Sequence, residues 1–310
     1  MKKTKDSFSN VLQFIQLASN ENNCMKLLEQ SRWHGKPVCA FCNSTEKIYK
    51  LKRKHYYRCG KCLKFFNARK GTIFEESQIP LSKWFYAIYI FSNHKKGISS
   101  HQLARDLSVT QKTAWFMLGR IREAMRTKTN MQKLYGVIEA DETYVGGKPR
   151  KGDKKERKRG RGTEKTPVFG MIEREGKVCA MPVKKVNAKT LKGKIKENVE
   201  KGSIILTDEW KAYKGIDKND EYEHYSVNHG QGEFDNNGIN VNSMENFWSQ
   251  MKRGIFGIYH HASKKHLSRY TDEFTFRYNT KGNSENERFN TTLEKVNGRL
   301  TYKQLIKKAA

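Results

Sequence analysis

The chain has 310 residues, of which 61 are Lys or Arg and 32 are Asp or Glu, giving a formal net charge of +29. That length allows two or three domains with a proper core, and the charge points to a polyanionic partner, because each neutralised phosphate releases counterions. No apolar run is long enough to span a bilayer, and no apolar stretch follows the basic start "MKKTKDSFSN", which argues against a membrane span and a secretory signal. A cytoplasmic, nucleoid-associated location is expected, where spaced cysteines favour metal over disulfides.

Residues 1–30 read as an N-terminal helical segment and residues 31–70 as a metal-binding ribbon. "CAFC" (Cys39, Cys42) and "CGKC" (Cys59, Cys62) are separated by 16 residues. Two short hairpins that each offer two thiolates complete a tetrahedral Zn²⁺ site. Gly60 is expected to supply a tight turn, and the basic run "KIYKLKRKHYYR" alternates as a strand does. Cys24 and Cys179 have no ligand spacing and read as free, buried thiols.

Residues 71–131 read as a helix-turn-helix-like module. "LSKWFYAIYIFSN" carries a broad apolar face with Ser82 as a possible cap, and Gly97 ends it. Ser99 or Ser100 can cap a short helix, "LSVT" is the turn, and Thr110 can cap a second helix through Ala114, Leu118 and Ile121. That second helix is expected to expose Gln111, Lys112 and Arg120 to phosphates or base edges. A plain helical connector with a solvated basic face is the alternative.

From Tyr135 the pattern turns to strands: "GVIEADETYVGG", a hairpin "TPVFGMIEREGKVCAMPV" turning at Glu175-Gly176, then "GSIILTDEW" and "EYEHYSV". An amphipathic helix, "NAKTLKGKIKENV", lies between the hairpin and the fourth strand. The segment 148–166 is a basic loop without apolar residues to pack, either solvated or set against nucleic-acid backbone. The last helix of this region, "NSMENFWSQMKRG", places Met244, Phe247, Trp248, Met251 and Ile255 on one stripe with Glu245 at its edge. Asn242 as N-cap with Glu245 as its partner is one reading of the acid.

The order strand, hairpin, helix, strand, strand, helix is that of an α/β, ribonuclease H-like core, expected over residues 132–281. In such a core Asp141 on the first strand, Asp208 at the end of the fourth and Glu245 on the helix converge, although 67 and 37 residues separate them in sequence. Three carboxylates together are costly without a cation, and oxygen ligands with room for water suit Mg²⁺ or Mn²⁺. Two such ions can serve phosphoryl transfer. Glu245 is then expected on the buried side of its helix. Glu139, Glu142 and Glu209 flank the aspartates, and alternation does not say which of these acids point inward. His229 reads as a surface-loop residue, and His260, His261 and His266 do not match a second zinc site. Leu267, Tyr270, Phe274 and Tyr278 form a helical stripe read as core.

"DETYVGGK", "LTDEWKAY" and "VNSMENFWSQMKRGIFGIYHHASKKHLSRYTDEFTFRYN" resemble the blocks of zinc-ribbon DDE insertion-sequence transposases of the IS-fifteen-ninety-five group. The resemblance implies metal-dependent strand cleavage and transfer at the terminal inverted repeats of the element. It also implies double-stranded DNA, both element ends and target, as the partner, and a homo-oligomer on that DNA. By motif, Asp141, Asp208 and Glu245 would be the metal-binding triad, and Lys252, seven residues after the last acid, a DNA contact near the cut. Arg253 is expected to touch DNA beside it. Residues 282–310 are expected as a C-terminal tail. The competing reading is a ribbon and helix-turn-helix regulator with an inactive core. A nuclease of the same fold is disfavoured by the long basic N-terminal module, and a two-histidine, tyrosine-nucleophile enzyme by the adjacency of His260 and His261.

Overall fold

Asn10 and Asn20 accept backbone amides at the starts of two helices, α1 (Val11–Ala18) and α2 (Glu21–Trp33), and so divide the N-terminal segment. The computed structural model describes residues 8–126, 132–147, 164–208, 211–217, 221–227 and 241–307. The chain forms two units: Met1–Met125 with Gly282–Ala310, and Arg126–Lys281. Among the described residues no helix is long and apolar enough to cross a membrane.

In the first unit, β1 (Ile48–Lys50), β2 (Tyr57–Cys59) and β3 (Phe65–Phe66) make an antiparallel sheet. The alternating basic run is two strands, not one. Leu51 N–H donates to Tyr56 O at 2.9 Å, and His55 takes a left-handed φ of 64°, so the segment folds back on itself. Gly60 does not act through its dihedral angle as expected. A Cβ there would stand 2.9 Å from the Tyr49 ring and 3.0 Å from Lys47 O, so the need is close approach. Trp33 meets Tyr57 and Phe66 edge-on and joins α2 to the sheet.

Helix α3 (Leu81–Asn93) follows, then α4 (Ser100–Leu107) and α5 (Gln111–Met125) around a turn at Ser108. Ser99 caps α4, and Thr110 Oγ1 accepts the Thr113 amide at 3.2 Å. Ser82 does not cap α3. Glu21 does so from another helix, accepting the amides of Leu81 (2.9 Å) and Ser82 (3.2 Å). A carboxylate at a helix start also meets the favourable end of the dipole.

Residues 282–307, expected as a C-terminal tail, are helical. They form α9 (Glu285–Glu294) and α10 (Tyr302–Ile306), both opened by capping boxes. Phe289 of α9 packs with Phe14, Phe85 and Phe8, and Leu305 of α10 seats on Gly119. Capping boxes and apolar anchors both favour ordered helices here.

The second unit holds a five-stranded sheet in the order β6-β5-β4-β7-β8. Its strands are β4 (Val137–Val145), β5 (Thr166–Glu173), β6 (Val178–Pro182), β7 (Ser203–Asp208) and β8 (Tyr222–Val227). The first three form an antiparallel meander, and β7 and β8 run parallel to β4. That order and polarity are those of a ribonuclease H-like sheet. Helix α6 (Ala188–Asn198) sets Leu191 and Ile195 into one core cluster with Ile138, Phe169 and Ile205. Helices α7 (Asn242–Gly254) and α8 (Leu267–Asn279) cover a second cluster, where Leu267 and Phe274 are buried and Tyr270 and Tyr278 pack beside them. Segment 148–163, His229 and Glu209 lie outside the described residues.

Candidate active site and metal centres

In the ribbon, the four thiols of Cys39, Cys42, Cys59 and Cys62 lie within 4.8 Å of one another. The Cys39–Cys62 and Cys42–Cys59 sulfur pairs are 3.6 Å apart. A tetrahedral metal with thiolates at about 2.3 Å requires sulfurs about 3.8 Å apart, so the donor set fits. Each knuckle closes on itself: Cys39 N–H donates to Ser44 O at 2.9 Å and Cys59 N–H to Lys64 O at 3.0 Å. Asn43 and Leu63 absorb the left-handed dihedrals of these turns.

In the second unit, the parallel ladder between β4 and β7 ends at Glu139 and Leu206. Asp141 and Asp208 each stand two residues beyond that last pair on adjacent strands, Asp141 midway along β4 and Asp208 at the carboxyl end of β7. Oxygens of Asp141, Glu142 and Asp208 lie within 4.8 Å of one another. Such a group of acids suits a divalent cation with oxygen ligands. Trp248 of α7 donates its indole N–H to Asp141 Oδ2 at 3.0 Å, and the Tyr213 hydroxyl donates to Glu142 Oε1 at 2.7 Å.

Burial raises the Asp141 carboxyl to about 6, with Asp208 and Glu245 adding to the rise and the Glu142 N–H and Trp248 opposing it. Burial also pushes the Tyr213 hydroxyl well above the usual tyrosine value, reinforced by Glu142, so it stays a proton donor. Lys252 is half-buried. Burial pulls its ammonium down, Asp141 holds it up, and Lys165 acts against it.

Helix α7 differs from both expectations for Glu245. Asn242 is not the cap, and Glu245 is exposed rather than on the buried side. The buried stripe is Met244, Phe247, Trp248 and Met251, which turns Glu245 to the helix edge, where its charge still reaches Asp141. The cap comes from Glu139, wholly buried, which accepts Met244 N–H at 3.0 Å and pairs with Arg174 at 3.2 Å. Gly170 of β5 is the register partner of Asp141, and a Cβ there would overlap Met244 and Trp248. This glycine lets α7 press close enough for Trp248 to reach Asp141. Period-two alternation put Glu139 and Asp141 on one face, the only sequence signal for the cap. Glu142 is one of the flanking acids that alternation left open, and Tyr213 carried no sequence signal.

Of the expected DNA contacts, Gln111, Lys112 and Arg253 are exposed. Gln111 donates to Ser100 Oγ at 2.8 Å, and the Lys112 ammonium sits 5.0 Å from the Tyr302 ring centre. Arg120 is not a surface residue. It is 5% exposed, and its guanidinium donates to the carbonyls of Leu300 (2.9 Å), Ile73 (2.7 Å) and Glu75 (3.0 Å). The second half of α5 is covered by the C-terminal segment, which a linear reading of helical spacing does not reveal. His260 and His261 are exposed, and among the described residues they join no metal-ligating group. Cys24 is buried and Cys179 half-buried.

Residues 133–279 match the ISXO2-like transposase domain, and residues 19–64 match a transposase zinc-ribbon domain. An uncharacterized protein in transposable element ISH50 of Halobacterium salinarum is 30% identical over 290 residues, covering 89% of this chain and 96% of that protein. An uncharacterized transposase-like protein of Haemophilus influenzae is 33% identical over 103 residues, covering 33% of this chain and 81% of its own length. Among solved structures, a pre-cleavage Mos1 transpososome is similar at 12% identity and a TM-score of 0.27, covering 73% of this chain and 83% of that one. A Mos1 transposase paired-end complex with left transposon end matches at 12% identity and 0.29, covering 72% and 78%.

Proposed function

The chain belongs to the family of ISXO2-like transposases with an N-terminal zinc ribbon, and from that premise we propose that it binds the terminal inverted repeats of its own insertion sequence, cleaves a DNA strand there and joins the freed 3′ end to target DNA. The observation that carries this reading is the convergence of Asp141 and Glu142, midway along β4, with Asp208 at the end of β7, and with Glu245 in electrostatic reach. Asp141, Asp208 and Glu245 would hold Mg²⁺ or Mn²⁺, with Glu142 as a further carboxylate at the cluster. Bound there, a pair of such ions would supply activation of the attacking oxygen of a phosphodiester reaction and stabilisation of the leaving one.

The protein's own part is to orient. Trp248 fixes one Asp141 oxygen and Tyr213 one Glu142 oxygen, which would leave the other oxygens to serve as ligands. Lys252 offers a positive charge to a phosphate beside the cut, and Arg253 a second contact further out. In the first unit, Cys39, Cys42, Cys59 and Cys62 hold one structural Zn²⁺. The start of α5, with Gln111 and Lys112, meets DNA. Cutting two ends together calls for a homo-oligomer on DNA.

The test is a strand-cleavage assay with the full chain, a duplex carrying the element's end, and Mg²⁺ or Mn²⁺. The parent is expected to nick the end and to transfer it into a target plasmid. Glu245→Gln keeps size and removes charge, and is expected to abolish both steps with end binding near the parent's. A Glu245→Gln variant that cuts like the parent would contradict the role given to Glu245.

A further inference from the structure

The second unit carries a cleft of about 430 Å³ whose lining includes none of Asp141, Glu142 and Asp208 and to which four lysines contribute: Lys165, Lys184, Lys185 and Lys264. Glu164 is the one acid among the described residues that line it. The lysines come from three separate stretches of chain. Lys165 precedes β5, Lys184 and Lys185 lie between β6 and α6, and Lys264 precedes α8.

Local structure holds them there. Val183 is buried and donates its N–H to Pro167 O at 3.0 Å, and Val186 packs on the same core cluster. The loop is therefore pinned on both sides of Lys184 and Lys185, which are exposed. Asn187 then caps α6 by accepting the Thr190 amide at 2.9 Å. Gly146 leaves room for the stem of Lys165, whose Cγ would be 3.1 Å from a Cβ at that glycine. Ammonium groups gathered around one cleft repel, and an anion relieves that repulsion. Lys252 lies in electrostatic reach of both Asp141 and Lys165, which makes the positive charge continuous from the acids towards the cleft.

We propose that this cleft grips the phosphodiester backbone of duplex DNA, without regard to sequence, on the path leading away from the acidic cluster. The inference rests on the reading of the chain as a DNA-cleaving transposase. Lysines act as point charges towards phosphate and carry no base readout of their own.

The test measures binding of the full-length protein to a short duplex of random sequence, and to an element-end duplex, across a range of salt without divalent ions. Each lost phosphate contact removes about 0.9 from the slope of log K against log salt. Lys184→Ala/Lys185→Ala is expected to flatten the slope by about 1–2 on both duplexes. Lys184→Arg/Lys185→Arg, which keeps the charge, is expected to restore it. An unchanged slope in the alanine pair, or a loss confined to the element-end duplex, would overturn the proposal. Because no metal is present, a parent that fails to cut DNA in Mg²⁺ would defeat the transposase reading by a separate result.

Discussion

The carboxylate of Glu139, in the middle of the sheet, accepts the backbone N–H of Met244 at the start of α7 at 3.0 Å. The residue after Met244 is Glu245, and the residue two after Glu139 is Asp141. One hydrogen bond therefore fixes the strand that carries the first acid against the helix that carries the third. Arg174 pairs with the wholly buried Glu139 at 3.2 Å.

Glu139→Ala should destabilise the second unit by on the order of 2–4 kcal/mol, because it removes a buried charge partner and a helix cap together. Glu139→Gln, which can still accept the Met244 amide, should lose less. Urea unfolding followed by tryptophan fluorescence would measure both, and equal losses would mean that the cap contributes nothing.

Arg120→Lys should not rescue Arg120→Ala. The guanidinium reaches three carbonyls from separate segments, and an ammonium cannot span that fork. Both variants should lower the melting temperature of the first unit, with a cost of on the order of 2–4 kcal/mol for alanine. A loss of DNA affinity without a loss of stability would restore Arg120 to the surface role expected from helical spacing.

Much of this was legible before any coordinates. The knuckle spacing named the four thiols, and the order of apolar runs named the sheet. Asp141 and Asp208 stood out through the order of strands and helices and the match to the motif blocks, while their neighbours Glu139, Glu142 and Glu209 stayed open. The misreadings share one cause. The start of α3 and the place of Arg120 are decided by Glu21 and the carbonyl of Leu300, far along the chain. Glu245 is expected on the buried side because it should reach the metals, yet the edge of the stripe on which it stands faces solvent. Long-range partners leave no local periodicity.

Asp141→Asn should stabilise the protein in the absence of added Mg²⁺ at pH above 6. The Asp141 carboxyl is raised to about 6, against about 3.9 in an unfolded chain. The folded state therefore binds a proton that the unfolded state has released, and stability falls as pH rises from about 4 to 6 and stays low above. The asparagine removes that penalty, about 1–3 kcal/mol. Melting curves at pH 4 and pH 7.5 should show the gain at the higher pH alone; a pH-independent difference would contradict the assignment.

Gly170→Ala should separate α7 from the sheet, since the added methyl meets Met244 and Trp248 in a packed core. The expected cost is about 1–3 kcal/mol, with the Trp248–Asp141 hydrogen bond lengthened. The fluorescence of Trp248, isolated by replacing the other tryptophans, would report the change. An unchanged spectrum and stability would show that the helix does not depend on this close approach.

The central claim is that the acids gathered from β4 and β7 support metal-dependent strand cleavage. Its most direct test is the rate at which Asp208→Asn nicks an element-end duplex in Mg²⁺, measured beside the parent under conditions where both are saturated with DNA. A fall of about a thousandfold or more is predicted, because the variant keeps shape and loses a charge that the metal requires. A rate within a few fold of the parent's would contradict the account.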